Sequence, residues 1–322
     1  MRGFILFIMK LPSISDIRAA HRQIRPFVHH TPVMRSQLID NMFGCEIFFK
    51  CENFQKVGAF KFRGAVNAVL TLTDDEKSRG VVTHSSGNHA AALAFAAGMN
   101  HVAASIVMPE NASRVKKDAV AAYGAKITFC KPTLQSREAE TARIIEKTGA
   151  TFIHPYDNFN VICGQGTAAL ELTEEIDNLR TIIAPIGGGG LMSGTAVCVK
   201  GVDKRIRVLG AEPQNANDAW ISFTTGKLTP SANPETVADG LLTSLSELTF
   251  AIIKKNVDAI CTVSEESIIE SMLLIWERMK IVVEPSSATA LAVIRENPGD
   301  FRGERVGIII TGGNVDFRKL PF

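Results

Sequence analysis

The chain has 322 residues, which is enough for two domains or one large α/β unit. Its 46% of hydrophobic and 21% of charged residues are typical of a soluble globular protein. The formal net charge of +2 excludes a broad electrostatic attraction to nucleic acid or to an anionic membrane. The six cysteines lack Cys-x-x-Cys spacing, which argues against a zinc site and predicts reduced thiols in the cytoplasm.

The first nine residues read MRGFILFIM, which invites a signal-peptide interpretation. The stretch is too short to span a bilayer, and no small-residue cleavage site follows it. We therefore expect translation to start naturally at Met9, with residues 1–8 as an extension.

Strand-like and helix-like segments alternate along the chain, which predicts α/β architecture. Many strands are short runs of Val and Ile, as expected of parallel strands covered on both faces. Three consecutive strand–helix pairs between residues 81 and 154 predict a compact unit inserted in the chain. The predicted strands cover residues 46–50, 81–83, 104–108, 126–129, 181–186, 207–211, 259–263 and 306–311. The predicted helices cover residues 14–24, 63–70, 90–97, 113–123, 136–148, 164–176, 193–200, 265–280 and 286–296.

Lys61 lies among small and apolar residues, in the sequence GAFKFRGA. Burial of an amine lowers its pKa and prepares it to attack a carbonyl group. The alternative is an ordinary surface lysine whose charged end reaches water.

A run of four glycines, Gly187 to Gly190, follows the predicted strand 181–186. Backbone N–H groups of such a loop can approach a phosphate closely, although many glycine runs are only turns or packing points. A cofactor that carries both an aldehyde and a phosphate would explain this run and Lys61 together, and pyridoxal phosphate (PLP) is the obvious candidate. The polar segment Ser85-Ser86-Gly87-Asn88-His89, between a strand and a helix, suits a substrate carboxylate.

These motifs, together with Gly164-Gln165-Gly166-Thr167, Ala238-Asp239-Gly240 and Thr311-Gly312-Gly313-Asn314, occur in a characteristic order. The chain resembles the fold-type II PLP-dependent enzymes, in the group of serine racemases and serine/threonine dehydratases. It is also similar to threo-3-hydroxyaspartate dehydratases. The resemblance implies a tryptophan synthase β-like fold of two open, twisted, mostly parallel sheets flanked by helices. Residues 1–79 and 157–322 would form a large PLP-binding domain, and residues 80–156 a small mobile domain.

The resemblance also implies roles for the cofactor residues. Lys61 would bind PLP covalently, and Thr311 would meet the pyridine nitrogen, where a hydroxyl weakens electron withdrawal and suits β-elimination. Asn88 would hydrogen-bond the 3′-oxygen of PLP, and Phe60 would pack near the ring. The phosphate would be held by the backbone N–H groups of Gly187, Gly188, Gly189, Gly190 and Leu191. The resemblance also places Glu284 at the cofactor.

Substrate contacts are implied for Ser85, Ser86, Asn88, His89, Arg137, Tyr156 and Asp239. Ser86 has a second implied role, because racemisation needs a proton donor on the face of Cα opposite Lys61. The alternative to this role is that Ser86 only caps the helix that follows it. Arg137 would pair with a distal carboxylate or with the closing domain, or it is simply a solvated helix charge.

Two carboxylates six residues apart, Glu212 and Asp218, are a second mark of the racemase subgroup, after Ser86. From spacing alone, Asp218 would cap a helix. The resemblance implies instead a site for Mg²⁺, or for Ca²⁺ or Mn²⁺, completed by the backbone carbonyl of Ala216 and by waters.

Regulation by ATP is less well supported. Lys56, Tyr123, Lys280 and Asn314 match an intersubunit nucleotide site, but Val57 and Ala91 replace polar residues and argue against ATP as an activator. The resemblance implies a homodimer without nucleic-acid or membrane partners.

The expected activity is racemisation of serine together with dehydration of L-serine or L-threonine to a 2-oxo acid and ammonia. The alternative is a dedicated dehydratase of L-threonine or threo-3-hydroxyaspartate. Two competing interpretations lie outside these enzyme classes, namely a protein that carries or senses PLP and a nucleotide-binding domain. The nucleotide-binding domain would leave Lys61 unexplained, and the glycine run lacks the GxGxxG spacing.

Overall fold

The computed structural model of the protein describes residues 10–85, 87–112 and 114–320. The expectation about Met9 as a start site, and the whole of Ser86, therefore lie outside the described residues.

Helices and strands alternate along most of the described chain. The strands are β1 (Val33–Met34), β2 (Glu46–Cys51), β3 (Val81–His84), β4 (Ala104–Pro109), β5 (Lys126–Cys130), β6 (Thr151–Phe152), β7 (Thr181–Pro185), β8 (Arg207–Pro213), β9 (Ala259–Val263) and β10 (Arg305–Ile310). The helices are α1 (Ile14–Ile24), α2 (Gln37–Phe43), α3 (Lys61–Leu70), α4 (Asp74–Arg79), α5 (Asn88–Met99), α6 (Arg114–Ala122), α7 (Leu134–Thr148), α8 (Phe159–Glu175), α9 (Gly190–Val202), α10 (Asp218–Thr225), α11 (Glu247–Asn256), α12 (Glu265–Met279) and α13 (Pro285–Glu296).

The strands form two sheets. The larger has the order β1-β2-β10-β7-β8-β9, in which only the β1–β2 pair is antiparallel. The smaller has the order β5-β4-β3-β6 and is parallel throughout. Strands β7 and β10 are buried almost along their whole length, as parallel strands covered by helices should be. The predicted α/β fold with mostly parallel sheets is confirmed.

Helix α3 packs tightly against helix α8, and α8 against α9. A Cβ atom added at Gly164 of α8 would lie 2.5 Å from the carbonyl oxygen of Arg63, and one at Gly194 of α9 would lie 2.5 Å from that of Ile162. Only glycine permits such backbone contacts. The start of α3, where Lys61 lies, is thereby held close to the start of α9, which carries the glycine run.

A buried ionic cluster supports α3 from behind. Arg63 donates to both oxygens of Glu52 and both oxygens of Glu171, at 2.7–2.8 Å. Lys50 lies 2.7 Å from Glu171, and all four side chains are almost completely buried. Every charge of the cluster therefore has a partner, which buried charges require.

Some boundaries differ from the sequence-based expectations. Helix α3 starts at Lys61 rather than 63, and α9 starts at Gly190 rather than 193. The two-residue strands β1 and β6 and the helices α2, α4, α10 and α11 were not predicted. No helix in the described part of the chain is long and apolar enough to cross a membrane.

Candidate active site

Lys61 is the first residue of α3, and its side chain is half-buried. Its Nζ donates a 3.0 Å hydrogen bond to the carbonyl oxygen of Pro155 and lies 5.1 Å from the centre of the Phe60 ring. Burial lowers the pKa of Lys61 to about 8, although the carboxylate of Glu284 works in the opposite direction. The amine is therefore available as a nucleophile or base close to neutral pH.

The glycine run connects β7 to α9 in a tightly enclosed loop. Gly189 caps α9 with a φ of 84°, a conformation that favours glycine. A Cβ at Gly188 would approach the Tyr156 ring to 2.3 Å, and one at Gly187 would lie 3.1 Å from the carbonyl oxygen of Gly240. Leu191 is buried, and the loop leads into the start of a helix, where backbone N–H groups can bind an anion.

Asn88, at the start of α5, is held by two neighbours. Its Nδ2 donates to Glu284 Oε1 at 3.0 Å and to Oε2 at 3.2 Å, while its Oδ1 accepts from Asn314 at 3.0 Å. Burial and the charge of Asp239 raise the pKa of Glu284 to about 7. The carboxyl group can therefore change its protonation state near neutral pH.

Thr311 follows β10 and is almost completely buried. Its hydroxyl lies 2.8 Å from the hydroxyl of Ser287, which also bonds to the backbone of Gly312 at 2.8 Å. The Thr311 carbonyl oxygen accepts from the N–H of Phe60 at 2.9 Å. This bond places Thr311 next to the residue that precedes Lys61.

The polar segment after β3 is described except for Ser86. The Ser85 hydroxyl accepts from the N–H of Gly87 at 3.3 Å. His89 is buried, with Nε2 at 3.2 Å from the carbonyl oxygen of Ile153, and burial together with the charge of Lys61 lowers its pKa to about 3. A neutral His89 donates its one N–H to this carbonyl, so its ring brings no positive charge to a substrate carboxylate.

Arg137 lies in helix α7, and Asp239 lies in the segment between α10 and α11. Arg137, in the first turn of α7, has a buried Nε without a hydrogen-bond partner in the described part of the chain. The pKa of His84 is lowered by burial and then by the charge of Arg137, which indicates that the two side chains are neighbours. Asp239 binds Lys116 of α6 at 2.6 Å.

The comparisons with known proteins agree with this geometry. A model of the family described as pyridoxal-phosphate dependent enzyme matches residues 24–312. The chain belongs to this family. It is 48% identical over 314 residues to a beta-hydroxyaspartate dehydratase of Paracoccus denitrificans, covering 98% of this chain and 100% of the relative. It is 48% identical over 319 residues to a serine racemase of Dictyostelium discoideum, covering 97% and 98%. The crystal structure of the Dictyostelium racemase superimposes with a TM-score of 0.91 and covers 95% of this chain and 99% of that chain.

The residues present fit the cofactor of the PLP-dependent family. Lys61 offers a deprotonatable amine. The glycine loop offers backbone N–H groups without side chains, and Cβ atoms at Gly188 and Gly189 would collide with Tyr156 and Leu245. Thr311 and Asn88 offer a hydroxyl and an amide, the group types expected for the pyridine nitrogen and the ring oxygen.

Glu212, expected as a metal ligand, is buried near the end of β8. Its two oxygens accept from the N–H groups of Ala219 and Trp220, at 2.9 and 2.8 Å, and burial raises its pKa to about 8. Asp218 is buried, one of its oxygens lacks a partner among the described residues, and burial raises its pKa to about 6. Ala216 is also buried. Among the residues that the structure describes, no three His, Cys, Asp or Glu side chains are grouped as metal ligands.

A cavity of about 770 Å³ opens beside Asn88 and Glu284. Val57, Ala91, Tyr123 and Asn314, considered above for nucleotide binding, are among the residues that line it, whereas Lys56 and Lys280 are not.

Sequence reasoning missed three parts of the site. Ser287 supports Thr311, the carbonyl oxygen of Pro155 receives the Lys61 amine, and the ring of His154 lies against Tyr156 at 4.5 Å between centroids. The pair Ser286-Ser287 after Pro285 was the available signal for the first. A backbone carbonyl leaves no signal in a sequence.

Proposed function

We propose that the protein is a PLP-dependent serine racemase that also acts as an L-serine and L-threonine dehydratase, releasing a 2-oxo acid and ammonia. The observation that carries this proposal is the placement of the Lys61 amine on the Pro155 carbonyl, in a site that also has a glycine loop and the buried Thr311 hydroxyl. The 48% identity to a serine racemase, over nearly the whole length of both chains, supports the choice of substrate.

The residues proposed to hold PLP are Lys61, the N–H groups of 187–191, Phe60, Asn88, Glu284 and Thr311. When bound, PLP withdraws electrons from the substrate Cα and makes its hydrogen acidic. Lys61 would remove this proton, since its pKa of about 8 leaves a fraction of the amine neutral near pH 7. Ser86 would deliver a proton to the opposite face. Ser85, Asn88 and His89 would orient the substrate carboxylate, with Tyr156 and Asp239 at its side.

Arg137 favours a second candidate function, a dehydratase specific for threo-3-hydroxyaspartate. Its buried Nε has no partner among the described residues, and a guanidinium group binds carboxylates well. The Paracoccus relative, at 48% identity, is a beta-hydroxyaspartate dehydratase. Arg137 would then hold the distal carboxylate of the substrate.

The test is chiral analysis of the products from L-serine with PLP and Mg²⁺, following D-serine and pyruvate together. Both products are expected. Pyruvate without D-serine would remove the racemase assignment. In a parallel assay, turnover of threo-3-hydroxyaspartate without turnover of L-serine would establish the second candidate. Ser86→Ala should lose D-serine formation and keep dehydration, whereas the exposed Ser78→Ala in α4 should keep both. Persistent D-serine formation in Ser86→Ala would contradict the proton-donor role.

We also propose that Glu212, Asp218 and the Ala216 carbonyl bind Mg²⁺, or Ca²⁺ or Mn²⁺. The support is a buried Asp218 oxygen without a partner in the described chain, beside a second buried carboxyl group. Added Mg²⁺ should raise the melting temperature of the protein, because an ion that binds only the folded state stabilises it. Asp218→Asn should abolish this increase, and Asp203→Asn, at a partly exposed carboxylate paired with Arg205, should retain it.

Three further proposals concern the whole molecule. Residues 80–156, which include the smaller sheet, would form the mobile domain, and 1–79 with 157–322 the large one. A homodimer would bury the exposed side chains of Phe54, Val282 and Phe317. The six cysteines are unpaired, which fits the reducing cytoplasm. Sedimentation analysis of the wild type and of Phe317→Asp tests the dimer.

A further inference from the structure

The segment between β6 and α8 folds back on the side chain of His154. Its Nδ1 accepts hydrogen bonds from the N–H groups of Tyr156, at 3.3 Å, and Asp157, at 2.8 Å. These two bonds close a turn over residues 154–157. Pro155 lies inside this turn, so the direction of its carbonyl group is fixed by the side chain that precedes it.

The turn lies between the lysine and the glycine loop. On one side, the Pro155 carbonyl oxygen accepts from Lys61 Nζ at 3.0 Å. On the other, the Tyr156 ring covers Gly188, and a Cβ at Gly190 would lie 2.8 Å from Tyr156 Cβ. A displacement of the turn would therefore disturb both elements proposed to hold the cofactor.

His154 can accept these bonds only while Nδ1 is unprotonated. Burial is the main cause that lowers its pKa to about 4, so the ring is neutral at physiological pH, with its proton on Nε2. The ring packs edge-on against Phe152 at 5.6 Å and against Tyr156 at 4.5 Å between centroids. The acceptor is thus fixed in both protonation state and orientation.

We propose that His154 is a positioning residue for Lys61, acting through the turn 154–157 and the carbonyl of Pro155. The inference rests on the proposed function. Lys61 has to hold a free amine before it captures the cofactor and again while it moves the substrate proton. A carbonyl oxygen takes one N–H of the neutral amine, so the nitrogen lone pair keeps a defined direction. A backbone carbonyl suits this task because it neither titrates nor competes as a base.

The test compares His154→Asn with His154→Leu. The Asn oxygen lies as many bonds from Cα as His Nδ1 and keeps the acceptor, whereas Leu is of similar size and removes it. In the Leu variant we expect capture of PLP by the cofactor-free protein, followed by visible absorbance, to slow about 10- to 100-fold. The value of kcat should fall by a similar factor with KM unchanged. Deuterium exchange at the N–H groups of Tyr156 and Asp157 should become faster. His154→Asn should stay within about threefold of the wild type on both rates.

Equal impairment of the Asn and Leu variants would overturn the inference, because the acceptor would then not be the cause. Wild-type behaviour of the Leu variant would overturn it as well. Should the Leu variant fail to fold, His154→Gln replaces it, since its acceptor lies one bond farther out and the same losses are expected. PLP capture and deuterium exchange need no substrate, so they test His154 independently. If the wild type forms no product, the proposed function is wrong, but the effects of the His154 variants on PLP capture and deuterium exchange still stand.

Discussion

Two basic side chains at the start of helix α3 lie two residues apart in opposite surroundings. Arg63 is fully buried and bound to Glu52 and Glu171, and these carboxylates raise its pKa despite the cost of burial. Lys61 contacts no carboxylate among the described residues, and burial lowers its pKa to about 8. One helix turn therefore carries a permanent cation that holds the fold together and an amine that can lose its proton. The difference comes from the partners, because Arg63 binds two carboxylates and Lys61 binds a backbone carbonyl.

The strongest test of this contrast removes the amine. Lys61→Ala should eliminate the visible absorbance of lysine-bound PLP and reduce both racemisation and elimination by at least about 1000-fold, or about 4 kcal/mol of barrier. Absorbance spectra and product assays measure the two effects. Lys56→Ala is the matched control, since the Lys56 amine lies over the Phe62 ring instead, and it should keep both properties. Turnover by Lys61→Ala would remove the lysine from the mechanism.

The second test removes the partner cation. Arg63→Met removes the cation bound to the buried Glu52 and leaves Glu171 with Lys50 as its remaining buried cation, so it should reduce the free energy of unfolding by about 3–5 kcal/mol. Lys61→Met in the cofactor-free protein should leave this free energy unchanged or raise it, because an apolar side chain replaces a desolvated amine. Urea unfolding of both variants gives the comparison. Equal destabilisation would mean that the two environments do not differ as the contacts indicate.

The glycine loop in front of Lys61 gives a third test. Gly188→Ala should weaken PLP binding about 10- to 100-fold, because its Cβ would collide with the Tyr156 ring and displace the loop. Gly299→Ala is the control, since a Cβ there has no heavy atom within 4 Å. PLP titration of the cofactor-free proteins measures both affinities. Unchanged affinity in Gly188→Ala would show that the loop does not hold the cofactor.

The smallest expected effect concerns the carboxyl group of Glu284, whose charge raises the pKa of Lys61. Glu284→Gln removes a charge that raises the pKa of Lys61, so the rate of PLP capture should reach half its maximum at a lower pH, by less than about one unit. Asp239→Asn should act in the opposite direction. Burial first, and then the charge of Asp239, raise the pKa of Glu284, so the variant leaves Glu284 more ionised near pH 7. Shifts of the same sign in both variants would contradict this coupling.

The local parts of the site could be predicted from the sequence. The glycine run between β7 and α9, and Lys61 among small residues, form patterns within a few positions. The exact helix starts could not. Phe60 offers no capping side chain, so nothing in the sequence marks the start of α3. Gly190 has poor helix propensity and is required by the contact with Tyr156 instead.

Contacts between distant parts of the chain were also beyond prediction. Lys61 and Pro155 are 94 positions apart, and Ser287 and Thr311 are 24 apart. The cluster around Arg63 joins Glu52 to Glu171 through the packing of α3 on α8, which no periodicity encodes. The fold brings these distant residues into contact, and the contacts determine which charges are paired.

The ion pair between Lys116 and Asp239 has a kinetic consequence. Both side chains are partly exposed, at 29% and 56%, and both line the cavity that also contains Asn88 and Glu284. For a substrate that enters through this cavity, separation of the two charges would be an additional step before binding. Dissolved salt weakens such an exposed pair. We therefore expect the association rate of the substrate to increase with ionic strength, the reverse of what electrostatic steering would produce.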